Sequence, residues 1–193
     1  MRLIRSSASA AVMAASRATV AAVALAGCVA CTTLSSAGRL APNYVEVSPR
    51  LATAGVPTRE QIRAIAQAGY QVVISLVPPD SMGALRDEAA LVASQRMRYH
   101  NIPVNFARPA AADYARFVEA MTQHQTERVL VHCEINLRAS SFVFLYRVLE
   151  LGEDPDRAYD AVLRVWRPSG QWHAFIAQML GERGAQRPLA FDL

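Results

Sequence analysis

One stretch of the chain gathers residue types that can do chemistry together. Residues 128 to 141 read RVLVHCEINLRASS. Cys133 follows His132 at the end of the apolar run Val129, Leu130, Val131, and Arg138 stands five positions further on. A short buried strand, a tight loop and a helix start are the expected conformations. A thiolate, the loop N–H groups and a guanidinium would then converge on one small pocket, an anion site with a nucleophile at its base. Free N–H groups at a helix start and a nearby arginine stabilise a thiolate and bring a cysteine pKa from about 8.5 to roughly 3.5–7.5. The N–H groups of Glu134, Ile135, Asn136 and Leu137, with the Arg138 fork, suit a tetrahedral oxyanion. Asn136 stands where a tight loop needs positive φ, a conformation asparagine tolerates. Ser140 is placed to hydrogen-bond the sulfur and help it leave in a second step. His132 is expected below the loop, orienting it rather than acting as a base. The plain alternative is a cysteine packed in a core, with an arginine nearby by coincidence. The order of apolar strand, histidine, cysteine, tight loop, arginine, serine and buried helix favours the anion loop.

The remaining candidates are sparse. His100, His124 and His173 are scattered without metal-ligand spacing, so no metal site and no cofactor are expected. Trp166 and Trp172 read as core aromatics. All 20 basic residues are arginine, and three of them, Arg2, Arg5 and Arg17, precede Cys28. Without those three the formal charge falls from +4 to +1, which argues against a nucleic-acid partner.

The first segment reads as a leader. Arg2, Arg5 and Arg17 form a positive region, and Ala18 to Ala26 is an apolar run too short to span a bilayer comfortably. It ends Leu25-Ala26-Gly27-Cys28, which resembles a bacterial lipobox. The expectation is a lipoprotein signal peptide over 1–27, a lipid on Cys28, and a tether over 28–43. The protein would then be held on the periplasmic side of the cell envelope, at the outer membrane, since Val29 gives no aspartate retention signal. Ordinary cleavage after Ala30 or Ala37, giving a soluble periplasmic protein, is the alternative. Cys31 falls in the tether, so Cys133 is the lone cysteine of the expected domain and no disulfide framework exists there.

The elements that must position the loop follow in order. Tyr44 to Val47 alternates and suits an edge strand. Leu51 to Val56, small residues throughout, reads as loop. Thr58 with Gln61 forms a capping box for a helix with Ile62, Ile65 and Ala66 inward, ended by Gly69. Gln71 to Val77 is a strand buried on both faces. A helix over Leu85 to Ser94 with Leu85, Ala89 and Val92 inward, a strand over Arg98 to Val104, and an amphipathic helix over Asp113 to Gln123 come next. After the loop, Ser140 to Leu151 is apolar all round, the pattern of a buried helix. Two further helices carry Ala158, Ala161, Val162 and Val165, then Trp172, Phe175, Ile176 and Met179; Ser169 is placed to cap the last. Residues 44–183 make the domain and 184–193 a flexible tail. Strands alternating with helices give a three-layer α/β/α fold with a mostly parallel central sheet. Its site lies beyond the strand carboxyl ends, where three loops meet: Pro78 to Asp80, Val104 to Arg108, and Cys133 to Arg138.

The chain resembles the bacterial tyrosine and dual-specificity phosphatase-like family, including the phosphatase-like domains associated with β-lactamase-hydrolase-like proteins. The resemblance rests on Tyr70 to Leu76, on Tyr99 to Val104, and on Val131-His132-Cys133 through Arg138. It implies a cysteine-phosphatase fold, Cys133 as a nucleophile that forms a phosphocysteine, and Arg138 as phosphate clamp. The implied substrate is a phosphomonoester such as protein phosphotyrosine, and the implied partner a phosphorylated substrate or small anion. Two departures stand out. Four residues, not the five usual in tyrosine and dual-specificity phosphatases, separate Cys133 from Arg138, the spacing of rhodanese-type sulfurtransferases and also of the phosphatase-like domains just named, and Glu134 adds a negative charge beside the loop. The loop expected to carry the general acid, Val104 to Arg108, has no carboxylate; Asp113 is the leading stand-in and Asp80 the second. Two alternatives therefore stand beside the phosphatase: sulfur transfer through a Cys133 persulfide, and a catalytically weak protein that binds an anion or phospho-ligand.

Overall fold

The computed structural model describes residues 40–184. The expected signal peptide, Cys28 and most of the tether lie outside the described residues. Five strands form one sheet: β1 (Val45–Ser48), β2 (Leu51–Ala54), β3 (Val72–Ser75), β4 (Arg98–Asn101) and β5 (Val129–His132), in the spatial order β1-β2-β5-β3-β4. Only β1 runs antiparallel to its neighbour; β2, β5, β3 and β4 pair in parallel. The described helices are α1 (Arg59–Gln67), α2 (Glu88–Ser94), α3 (Ala111–Gln123), α4 (Leu137–Leu149), α5 (Pro155–Leu163) and α6 (Gln171–Glu182). Together they make the three-layer, mostly parallel α/β fold expected from the alternation of elements.

Strand alternation sorts the core into two layers. Val72, Ile74, Val129 and Val131 face one side and pack with Phe117, Phe142 and Trp172. Val73 and Leu130 face the other and pack with Ile62, Ile65 and Val92. Strands covered on both faces must be apolar at consecutive positions, which is why β3 and β5 lack a polar alternation. Helix α4 is the central helix. Ten of its residues, from Arg138 to Val148, are buried, and Phe142 touches the rings of Tyr114, Phe117, Trp172 and Phe175.

Several local expectations need correction. Leu51 to Ala54 is not loop but strand β2, fully buried between β1 and β5. Alanine and threonine carry little strand signal, and here space decides, because a crowded sheet interior accepts small side chains. Helix α2 starts at Glu88 rather than Leu85, and its buried residues are Glu88 and Val92, while Ala89 is exposed. Strand β4 ends at Asn101 because the Asn101 side chain turns to the carbonyls of Ser75 (3.2 Å) and Val77 (2.9 Å). Helix α4 begins at Leu137, three residues earlier than expected. Ser169 does not cap α6; Gly170, at φ 54°, holds that position. The Thr58–Gln61 capping box is present as read.

Residues Ala41 to Asn43, counted with the tether in the sequence, pack with the fold. Ala41 is fully buried, and the Pro42 carbonyl accepts from the Gly55 N–H at 2.7 Å. Among the described residues no helix is long and apolar enough to cross a membrane.

Candidate active site

Cys133 lies one residue past the end of β5, the central strand, and Arg138 lies in the first turn of α4. The four residues between them make the whole turn. Such a short path needs one left-handed residue, and Asn136 takes it at φ 76°. Its amide donates to the Asn43 carbonyl (2.6 Å) and to Thr53 Oγ1 (3.0 Å), so the strained residue is held from beneath.

The loop is tied outward by its carbonyls. The Glu134 carbonyl accepts from the Val56 N–H at 3.2 Å, and the Ile135 carbonyl accepts from Asn43 Nδ2 at 3.0 Å. A planar trans peptide sets its N–H opposite its C=O. The Ile135 N–H therefore points away from Val56, while the Ile135 backbone bridges that of Gly55. Gly55 permits this closeness, since a Cβ there would stand 2.9 Å from the Glu134 carbonyl oxygen.

Arg138 is 3 % exposed and joins all three loops. Its Nη1 donates to the carbonyls of Leu76 (3.2 Å) and Val104 (2.8 Å), and its Nη2 to Glu134 Oε2 (2.9 Å). The other Glu134 oxygen accepts from the Ser81 hydroxyl. Glu134 thus turns toward the guanidinium and brings its negative charge to the loop.

Two cavities share this ground. The inner one, about 200 Å³, is lined by Phe106, Cys133, Glu134, Ile135, Leu137 and Arg138. The outer one holds Pro78, Asp80, Ser81 and Asn105 together with Phe106, Glu134 and Arg138. The three predicted loops do converge. Phe106, an exposed wall residue, is braced by contacts with Trp166 and Trp172, and the Trp172 Nε1–H donates to its carbonyl at 2.9 Å.

Other predicted residues stand apart from the cysteine cavity. Asp113 is paired with Arg116 at 2.6 Å on α3 and lines neither cavity. Asp80 lines only the outer one. The Ser140 hydroxyl donates to the Leu137 carbonyl at 3.1 Å, and so is directed to the backbone rather than spent on the sulfur. His132 is fully buried behind the loop, with Nε2 2.9 Å from Glu88 Oε1, although the alignment falls outside hydrogen-bonding geometry. The other Glu88 oxygen accepts from the Tyr99 hydroxyl at 3.0 Å. Sequence reasoning missed Glu88, Ser81 and Asn43. For Glu88 one signal existed, its place four residues before the buried Val92 on the same helical face. Among the described residues no group of three histidine, cysteine or acidic side chains could hold a metal ion.

Neither a scan of family models nor a search of curated proteins finds a match. Solved structures do match. The DUF442 phosphatase candidate of Shewanella putrefaciens CN-32 is 34 % identical, with a TM-score of 0.68 over 74 % of this chain and 94 % of that one. A cysteine-to-serine form of P. aeruginosa TpbA in complex with phosphotyrosine is 19 % identical, with a TM-score of 0.59 over 74 % of this chain and 89 % of that one. Tk-PTP in its active form is also 19 % identical, with a TM-score of 0.58 over 74 % and 98 %. The latter two share the fold.

Proposed function

The chain belongs to the DUF442 family of phosphatase-like proteins in the cysteine-phosphatase superfamily, and from that premise we propose that it hydrolyses phosphomonoesters through a phosphocysteine on Cys133. One observation carries this reading: Cys133 and Arg138 line the same small cavity, where strand β5 gives way to helix α4. The Cys133 thiolate attacks phosphorus, forming the S–P bond as the ester P–O bond breaks. Arg138 and the loop N–H groups hold the phosphoryl oxygens as charge shifts among them. Water then attacks the phosphocysteine and releases phosphate, restoring the thiolate. The apolar wall of Phe106, Ile135 and Leu137 suits an aryl ester, with protein phosphotyrosine or a similar group as substrate. A lipid on Cys28 would hold this activity at the periplasmic face of the envelope.

The decisive experiment is hydrolysis of an aryl phosphate by the full chain beside its Cys133→Ser variant. Turnover should vanish with the thiol, and a phosphorylated Cys133 should be trapped by rapid acid quench and mass analysis. Full activity in Cys133→Ser would overturn the mechanism. Sulfur transfer is the second reading, favoured by the four-residue interval and by the carboxylate already seated on Arg138. Incubation with thiosulfate would then leave a persulfide on Cys133, and its absence with each sulfane donor would count against transfer.

A further inference from the structure

We propose that the site accepts the monoanion of a phosphomonoester, that the substrate's own phosphoryl proton reaches the leaving oxygen, and that Glu134 sets this charge preference. The proposal rests on the phosphatase reading above and concerns which protonation state of the substrate reacts.

The charges around the pocket point this way. The lining of the two joined cavities carries one guanidinium, Arg138, against two carboxylates, Glu134 and Asp80, besides the nucleophilic Cys133 itself. The loop after β4 contributes the neutral Asn105 and Phe106, and α6 supports Phe106 through the neutral Trp172. Behind the loop lie His132 and the buried Glu88 of α2. A dianion would meet this balance with two negative charges of its own.

Glu134 is seated rather than loose. Its carboxylate is held by Arg138 on one oxygen and Ser81 on the other. Its side chain lies along Gly83, where an added Cβ would come within 3.0 Å of Cγ and 3.1 Å of Oε1. Three of the five guanidinium donors are committed by the bonds to Leu76, Val104 and Glu134. A ligand therefore shares Arg138 with a resident carboxylate. A phosphoryl dianion has only acceptors and is repelled there. A monoanion brings a P–OH group that donates to the carboxylate, turning repulsion into a charge-assisted hydrogen bond.

The same proton answers the want of an acid. Asp113 lines neither cavity, the Val104 to Arg108 loop has no carboxylate, and Asp80 is absent from the lining of the cysteine cavity. In the first step the thiolate forms the S–P bond, the P–O bond to the alcohol breaks, and the proton passes from the phosphoryl oxygen to the departing oxygen. The products are the neutral alcohol and a dianionic phosphocysteine. In the second step water adds to phosphorus, the S–P bond breaks, and thiolate and dihydrogen phosphate monoanion result. Atoms and charge balance in both steps.

The test is the pH dependence of kcat/KM for two aryl phosphates whose second phosphoryl pKa values differ by about one unit around the usual value of about 6. The full chain is compared with Glu134→Gln, Asp80→Asn and Cys133→Ser, and inhibition by inorganic phosphate is followed across the same range. The wild type should lose about tenfold in kcat/KM per pH unit above the break, and the break should move with the substrate. Glu134→Gln should gain about tenfold above the break, and its phosphate inhibition should weaken less as the anion becomes doubly charged. A break at one fixed pH for both substrates, lost in Asp80→Asn, would assign the proton to Asp80 and overturn the proposal. So would a Glu134→Gln variant that is slower at every pH. If that variant does not fold, the movement of the wild-type break decides alone. Absence of any Cys133-dependent turnover would remove the phosphatase reading and this inference together, whereas a fixed break would remove only the inference.

Discussion

Asn43 and Asn136 clasp each other across 93 positions of sequence: the Asn136 amide donates to the Asn43 carbonyl at 2.6 Å, and the Asn43 amide donates to the Ile135 carbonyl at 3.0 Å. Both residues have positive φ, 48° and 76°. The segment that enters the fold is therefore wired to the cysteine loop. Asn136→Ala should lose the side-chain bonds to the Asn43 carbonyl and to Thr53 Oγ1 and meet the left-handed penalty of roughly 1–2 kcal/mol. Asn136→Gly should recover the conformational part only. Chemical denaturation of the two variants beside the wild type would separate backbone strain from side-chain anchoring, and an Asn136→Gly variant as stable as the wild type would show that the anchoring contributes nothing.

Gly55 is expected to control the loop through contact rather than flexibility. In Gly55→Ala the new Cβ would press on the Glu134 carbonyl oxygen at 2.9 Å, with Pro42 close behind. The loop must shift, because both neighbours are backbone or ring atoms. A protein that folds but has lost tenfold or more in Cys133-dependent turnover is the expected outcome. Unchanged turnover would show that the loop tolerates displacement.

Arg138→Lys keeps the charge but not the fork. A single ammonium cannot span the carbonyls of Leu76 and Val104 and the Glu134 carboxylate in one plane. Loss of the buried charged hydrogen bonds should cost about 1.5–3 kcal/mol, read as a lower urea midpoint. Aryl phosphate hydrolysis should fall by on the order of 10²-fold, the effect of removing one oxyanion donor. Retained stability would mean that the guanidinium does not hold the loops together.

Acid should weaken the fold at a second place, the contact between His100 and His124. His100 and His124 meet with their Nε2 atoms 2.7 Å apart, and His124 Nδ1 lies 3.1 Å from Glu127 Oε1. Two protonated rings cannot keep that contact. Burial holds both pKa values below the usual histidine range; the Arg98 charge adds to this for His100, and His100 followed by Arg98 for His124. The unfolded chain thus binds more protons, so stability falls as pH drops through about 6.5 and toward the lower native values. Urea midpoints measured from pH 8 to pH 5 should show this decline, and His124→Gln should flatten it. Glu127, paired with both His124 and Arg98, faces the pair and remains in the variant.

Legibility differed from element to element. The capping box at Thr58, the doubly buried β3 and β5, and the aromatic faces of α3 and α6 could all be read because each is set by neighbours within a turn or two. Strand β2 could not: Leu51-Ala52-Thr53-Ala54 is a strand only because β1 and β5 lie beside it. The start of α4 was misplaced because Asn136 ends the loop by its dihedral angle, which permits Arg138 to enter the helix at once. Glu88 was hidden by its charge, since its burial depends on Tyr99 and His132 from two other strands.

By itself the sequence determined that a cysteine, a tight loop and an arginine would follow a buried strand, because those relations span only a few residues and obey local backbone geometry. It also determined the layered α/β class, through the spacing of apolar residues. Tertiary structure decided what fills the site. Arg138 shares its donors with the carbonyls of Leu76 and Val104, Glu134 is caught between Arg138 and Ser81, and Asp113 is turned to Arg116 instead of the cysteine cavity. Those pairings join loops that no short stretch of chain connects, so their charge balance exists only once the sheet has brought the strand ends together.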